Sequence, residues 1–172
     1  PNTSSAASDV YKRQDLTSIG LAASGTGDIP AFTAINTGTS PVIATITVTP
    51  TFENGGVSCT GPATPFEITV NPTAQVNPTV DMVVTDGDDI DIPFSTINTG
   101  GTSTYTWTNT DPTTGLTNTG SSDIGFTAVN TGTSPITTTV VVTPTFENGG
   151  NSNSGPTDTF IITVNPTAHI DP

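Results

Sequence analysis

The chain has 172 residues, with 15 acidic side chains against two basic ones, a formal net charge of −13. So acidic a surface repels nucleic-acid phosphates, which proteins bind with Lys and Arg, and anionic lipid surfaces. No run of about 18 apolar residues is present to span a membrane as a helix, while Thr, a strand former, occurs 39 times.

Taken in order, the first stretch stands apart. Ser4 to Gln14 reads SSAASDVYKRQ. It resembles one reading frame of a transposase adapter used to prepare DNA for sequencing. That resemblance implies that residues 1–14 are a non-native remnant, that the gene was read from fragmentary environmental DNA, and that the first repeat begins mid-domain. The stretch lacks the apolar centre of a signal peptide. It holds both basic residues, Lys12 and Arg13, and one acid, Asp9. Residues 15–172 therefore carry 15 − 1 = 14 acids and no Lys or Arg.

The next element organises the chain. Asn36 to Gly56, NTGTSPVIATITVTPTFENGG, returns as Asn130 to Gly150, NTGTSPITTTVVVTPTFENGG. Sixteen of the 21 positions are identical at a constant offset of 94. The match resumes at Phe66–Pro72 and Phe160–Pro166. A period of 94 is the size of a small domain, too long for a solenoid unit. The expected organisation is a remnant, 1–14; a truncated first repeat, 15–72; a linker pinned by two Asn-Pro steps, 73–78; a complete second repeat, 79–166; and the start of a further linker, 167–172. Pro-pinned connections make semi-rigid joints.

Within the complete repeat, alternation predicts the strands. Val80 to Val84 is the first. Ile90, Ile92 and Phe94 share a face, with Pro93 marking an edge. Tyr105 and Trp107 point inward, while Thr104, Thr106 and Thr108 point outward. Ile124, Phe126 and Ala128 form a stripe. Ile136, Thr138, Val140 and Val142 form the next, and Phe160, Ile162 and Val164 the last. No segment carries a helical apolar stripe. The chain is expected to be all-β, built from tandem immunoglobulin-like β-sandwiches. Outward Thr rows, including Thr45, Thr47 and Thr49, suit solvent-facing strands or an O-glycosylated or lateral-packing surface.

The residues YTWT at Tyr105 to Thr108, TGL at Thr114 to Leu116, FTAVNTGTSPI at Phe126 to Ile136 and FIITVNP at Phe160 to Pro166 resemble the PKD-like domain. Ser18 to Thr51 of the first copy is similar to it too. That family recurs in large secreted and surface proteins of Bacteroidota. The resemblance spans residues 15–172. It implies an extracellular immunoglobulin-like sandwich with stalk or adhesive duty, and it carries no catalytic residues. The Asp/Gly-rich segment that usually follows the Tyr-x-Trp is replaced by Thr108-Asn109-Thr110-Asp111. The resemblance also implies that Cys59 pairs with an early cysteine lost upstream. A reactive thiol is the alternative, with no nearby base to activate it.

Asp86, Asp88, Asp89 and Asp91 form the one acidic cluster, with Asp81 nearby. Their oxygens suit Ca²⁺, though no Glu closes a 12-residue loop. The competing reading is a solvated turn leading into an acidic edge strand. His169 replaces the Gln75 of the other copy, which argues against a catalytic role. Glu53 and Glu147 sit at equivalent turns of different repeats, so they do not form a glycosidase pair. No nucleophilic, metal or phosphate motif appears, so no enzyme is expected.

The expected function is a structural and adhesive repeat of an extracellular or cell-surface protein, forming a stalk, fibre or filament and associating with its own copies. The alternative is a module that binds carbohydrate or another ligand. Nucleic acid and membrane insertion are not expected. One further expectation concerns residues 4–14. The repeat offset is 95 at Gly20-Leu21 and Gly115-Leu116. Carried back, it aligns Lys12 with Trp107, which would put an ammonium in a core position.

Overall fold

The computed structural model describes residues 8–13 and 19–168. Among these residues it is all-β, of the β-sandwich class, with several sheets and a single 3-10 turn at Pro112–Thr114. Two compact units divide the chain, Pro1–Pro72 and Thr73–Pro172.

Unit 2 contains β6 (Met82–Thr85), β7 (Asp89–Ile92), β8 (Thr102–Asn109), β9 (Thr119–Ser121), β10 (Ile124–Thr127), β11 (Ile136–Asn148), β12 (Asn151–Ser154) and β13 (Asp158–Asn165). One sheet runs β6-β13-β11-β8-β9, with β12 also on β11; the other pairs β10 with β7. All pairings are antiparallel except β6 on β13, which matches Met82 to Ile162 and Val84 to Val164 in parallel.

Burial along β11 alternates for most of its length, from Thr138 through Val140 and Val142 to Phe146. Of these, Val140 and Val142 pack with Tyr105 and Trp107 of β8, Phe160, Ile162 and Val164 of β13, and Ile92 and Ile124 from the two-stranded sheet. The core expected from alternation is therefore assembled, with Trp107 6% and Tyr105 8% exposed. Each fully buried Val, Ile or Phe there contributes about 1.5–3 kcal/mol. Phe94 covers Tyr105, their rings 5.5 Å apart and tilted by 50°.

The 73–78 stretch, read from its prolines as a joint, is packed into unit 2. Ala74 is 1% exposed, and Val76 lies against the core. The Asn98 side chain holds the stretch at both ends of Thr73–Gln75. Its Oδ1 accepts from the Gln75 N–H at 2.7 Å, and its Nδ2 donates to the Thr73 carbonyl at 3.2 Å. Asn77 N–H donates to the Ser95 carbonyl at 2.8 Å. A Cβ on Gly155 would fall 1.7 Å from the Ala74 carbonyl oxygen. Only glycine lets the segment pass that close.

Unit 1 contains β1 (Ser8–Arg13), β2 (Ser24–Thr26), β3 (Val42–Asn54), β4 (Val57–Thr60) and β5 (Thr64–Val70). Its sheet runs β2-β1-β3-β4, with β5 on β3. This is the pairing scheme of β9-β8-β11-β12 with β13 on β11. Among the described residues its core is smaller: Ile19, Leu21, Ala44, Ile46 and Val70 are buried, with Ile68, Val48 and Phe32 packed against them.

The backbone of β1 lies within residues 4–14, yet it completes this sheet. Its register corrects the expected alignment. Tyr11 pairs with Val48 and Gly25, as Trp107 pairs with Val142 and Gly120. The offset at this strand is thus 107 − 11 = 96, not 95. Tyr11 takes the register position of Trp107, and Lys12 takes that of Thr108. Unit 1 has one extra residue between this strand and Gly20, and that extra residue caused the misalignment.

Candidate functional site

The repeated NTGTSP stretch is a clasp. Asn130 accepts from the Gly132 N–H through Oδ1 at 3.0 Å, a local Asx turn. Its Nδ2 donates to Ser134 O at 2.9 Å and to Val164 O at 2.7 Å. The loop is thereby pinned to the end of β13. Asn36 does the same in unit 1, donating to Ser40 O at 2.9 Å and to Val70 O at 2.8 Å. The identity of the two copies here preserves one hydrogen-bonding device at the point where each unit's last strand ends.

In unit 2 the acidic turn adds to that clasp. Asp86 Oδ1 accepts from the Asn130 N–H at 2.8 Å, and its Oδ2 accepts from the Thr167 hydroxyl at 3.1 Å. Asp86 N–H donates to Asn165 O at 2.9 Å, and Gly87 N–H to Ala128 O at 2.8 Å. Asp88 Oδ2 accepts from the Thr85 N–H at 2.8 Å. Asp89 Oδ1 accepts from the Thr127 hydroxyl at 2.8 Å. Asp91 is exposed on β7, opposite Gly125. Three of the four carboxylates expected to hold Ca²⁺ therefore face separate partners. Among the described residues, no group of three or more His, Cys, Asp or Glu side chains could hold a metal ion.

The same chemistry recurs across unit 2. Asp81 accepts from the Ile161 N–H at 2.7 Å, Asp158 from the Thr79 N–H at 2.7 Å, and Asp123 from the Phe94 N–H at 2.8 Å. Residues 15–172 offer a carboxylate no Lys or Arg. Strand-edge and turn N–H groups take that place, in bonds stronger than neutral ones. Composition alone does not signal this, because the donors lie far away in sequence.

A second polar group was also hidden from sequence. Buried Asn109 donates to Leu116 O at 2.9 Å and to Asp111 O at 3.1 Å, and its Oδ1 accepts from the Thr138 hydroxyl. Thr138 in turn accepts from the Asp111 N–H at 3.0 Å. At the position of Thr138, unit 1 has the buried Ala44, so the group is particular to unit 2.

The remaining candidates are scattered. Cys59 is a free, exposed thiol on β4. Glu53 and Glu147 are exposed at their hairpins, and Glu147 accepts from the Gly150 N–H at 2.9 Å. His169 lies outside the described residues. A shallow recess over β8 and β9 is lined by Thr106, Trp107, Thr108, Thr119, Ser121 and Thr143. It presents hydroxyls and the rim of an indole, with no titratable group. Burial raises the Tyr105 pKa, the Asp123 charge raises it further, and a hydrogen bond with Thr96 partly offsets both. No helix among the described residues is long and apolar enough to cross a membrane.

Comparison with protein-family models, with curated proteins and with solved structures finds no match for this chain.

Proposed function

We propose that this chain is a segment of a tandem-repeat structural protein, with immunoglobulin-like sandwiches strung together as an extracellular stalk, fibre or filament. The supporting observation is the coincidence of the 94-residue repeat with one strand-pairing scheme and one asparagine clasp in both units. Evolution that preserves an exit clasp, and places no shared reactive group beside it, suits a part whose output is mechanical. The high acidic charge keeps such chains from sticking indiscriminately. Residues 73–78 are held within unit 2 by Asn98 and Gly155, which makes a poor flexible tether and a good rigid entry to a domain. The resemblance to PKD-like domains points the same way.

A carbohydrate-binding module is the weaker reading. Sugar platforms need exposed aromatic faces, and Trp107 and Tyr105 are committed to the core. The deciding experiment is negative-stain microscopy of a polypeptide carrying several successive copies of residues 73–166. Extended, regularly beaded rods are expected. Compact globules would sink the structural reading, and a specific hit on a glycan array would favour the other.

A further inference from the structure

The larger sheet of unit 2 turns an uncharged face outward. Its outward positions alternate with the core. On β8 they are Thr at every step from Thr102 to Thr108, and on β11, from Thr137 to Thr145, they are four Thr and Val141. Two carboxylates border this face, Asp81 before β6 and Glu147 at the end of β11, and both already accept from backbone N–H groups, those of Ile161 and Gly150. An apolar stripe crosses the Thr field. Val83 of β6 stands level with Thr163. Ile161 lies one outward step back along β13, and Val141 stands level with Thr159, one step further. The three are diagonal neighbours on three adjacent strands, close enough to make one patch. Val83 is 69% and Ile161 41% exposed. Unit 1 differs at the middle of the stripe: its β5 sets Glu67 opposite Thr45, where β13 sets Ile161 opposite Thr139.

We infer that this face of unit 2 docks on the same face of a second copy of the chain, sheet against sheet. The inference rests on the tandem-repeat reading and names the surface through which its copies associate side by side. Charge selects the occupant. Each copy carries a net charge of −13, so two copies repel wherever their acidic turns and edges meet. The Thr, Val and Ile face is where they approach without bringing carboxylates together. Chemistry selects it too. A Thr hydroxyl both donates and accepts, so two identical Thr fields satisfy each other while their methyl groups are buried. A two-fold axis through Ile161 lays the apolar stripe on its own copy, the self-complementary arrangement of an isologous dimer. The area is sufficient for a weak contact. β8 and β13 have eight residues each. With the shorter β6 and β9 beside them, at about 3.3 Å per residue and about 4.8 Å between strands, the face covers about 500 Å² per copy, or about 1,000 Å² for a pair. One such contact is at the lower limit of a specific interface, and successive repeats strengthen it by raising the effective concentration of the next.

The test is sedimentation equilibrium of the full chain, kept reduced so that Cys59 forms no disulfide. A monomer–dimer equilibrium is expected, with an association constant that rises severalfold with added salt as repulsion between acidic chains is screened. Ile161→Glu gives unit 2 the residue that unit 1 already carries at this position. It should weaken association about tenfold or more, because like charges then meet across the two-fold axis, while circular dichroism remains that of the folded chain. Val57→Glu adds the same charge at an exposed hairpin of unit 1, off this face, and should weaken association by less than about twofold, as a remote charge does. A chain that stays monomeric at about 1 mM, dimers that survive Ile161→Glu, equal weakening by Val57→Glu, or association that weakens with salt would overturn the proposal. If multi-copy rods form but the single chain stays monomeric, the lateral contact is wrong and the structural role stands. If the chain dimerises through Ile161 but multi-copy chains give only globules, the contact stands and the structural role is wrong.

Discussion

A Cβ on Gly120 would lie 2.2 Å from Cζ2 of Trp107, so the indole fills the space that any side chain there would need. The two residues face each other across β8 and β9, and the ring covers the bare backbone of an edge strand. Gly120→Ala is expected to cost about 1–3 kcal/mol through overpacking. Trp107→Ala is expected to cost about 3–5 kcal/mol. Denaturant unfolding measures both. A loss below about 1 kcal/mol for Trp107→Ala, well outside that range, would mean that this ring does not anchor the core.

The Asn130–Val164 bond should outweigh its counterpart in unit 1. Asn130 is 4% exposed, and its own N–H is bonded to Asp86. Asn36 is half-buried. Asn130→Ala leaves a buried carbonyl with one partner fewer, at about 1–3 kcal/mol. Asn36→Ala should cost less. Hydrogen exchange at the ends of β13 and β5 would check this, and equal loss of protection in both units would contradict it.

Alternation exposed the core because Tyr105, Trp107, Val140 and Val142 obey a strict period of two, which burial on one face demands. It could not expose the Asn109–Thr138 bond, which joins residues 29 apart through polar groups with no period. Residues 73–78 were read as a joint because proline dominates local propensity. Their alternation at Ala74 and Val76 was the signal of a packed strand-like segment. The β1 register slipped by one because a single extra residue lies where the two copies share no sequence. The Asp86–Asp91 run attracted a metal reading because spacing shows charges and not their partners.

Those partners give the third expectation. Asp86, Asp88 and Asp89 already serve as acceptors within unit 2, so Ca²⁺ would have to break these bonds to gather them. Millimolar EDTA or Ca²⁺ should leave the melting temperature of the chain unchanged. Asp86→Asn, by contrast, should lower it, because the clasp loses a charged acceptor, at about 1–2 kcal/mol. A clear rise in melting temperature with Ca²⁺ would restore the metal reading.

Asp111 caps the 3-10 turn at Pro112–Thr114. Its Oδ1 accepts from the Thr113 hydroxyl at 2.6 Å and from the Thr113 N–H at 2.9 Å. The hydroxyl bond and then the backbone bond hold its pKa below the ordinary 3.8, slightly opposed by desolvation. A carboxylate whose pKa is lower in the folded chain stabilises the fold above its unfolded value, and that contribution disappears as pH falls through the folded value. The turn should therefore loosen at a lower pH than an ordinary aspartate would titrate. An NMR titration of the Thr113 amide reads this directly. Its midpoint should fall below 3.8, and the acid transition should vanish in Asp111→Asn. A midpoint at or above the ordinary value would show that the carboxylate does not hold the turn. Because Asp111 N–H also donates to Thr138, loosening should spread to Asn109 before it reaches the Trp107 core.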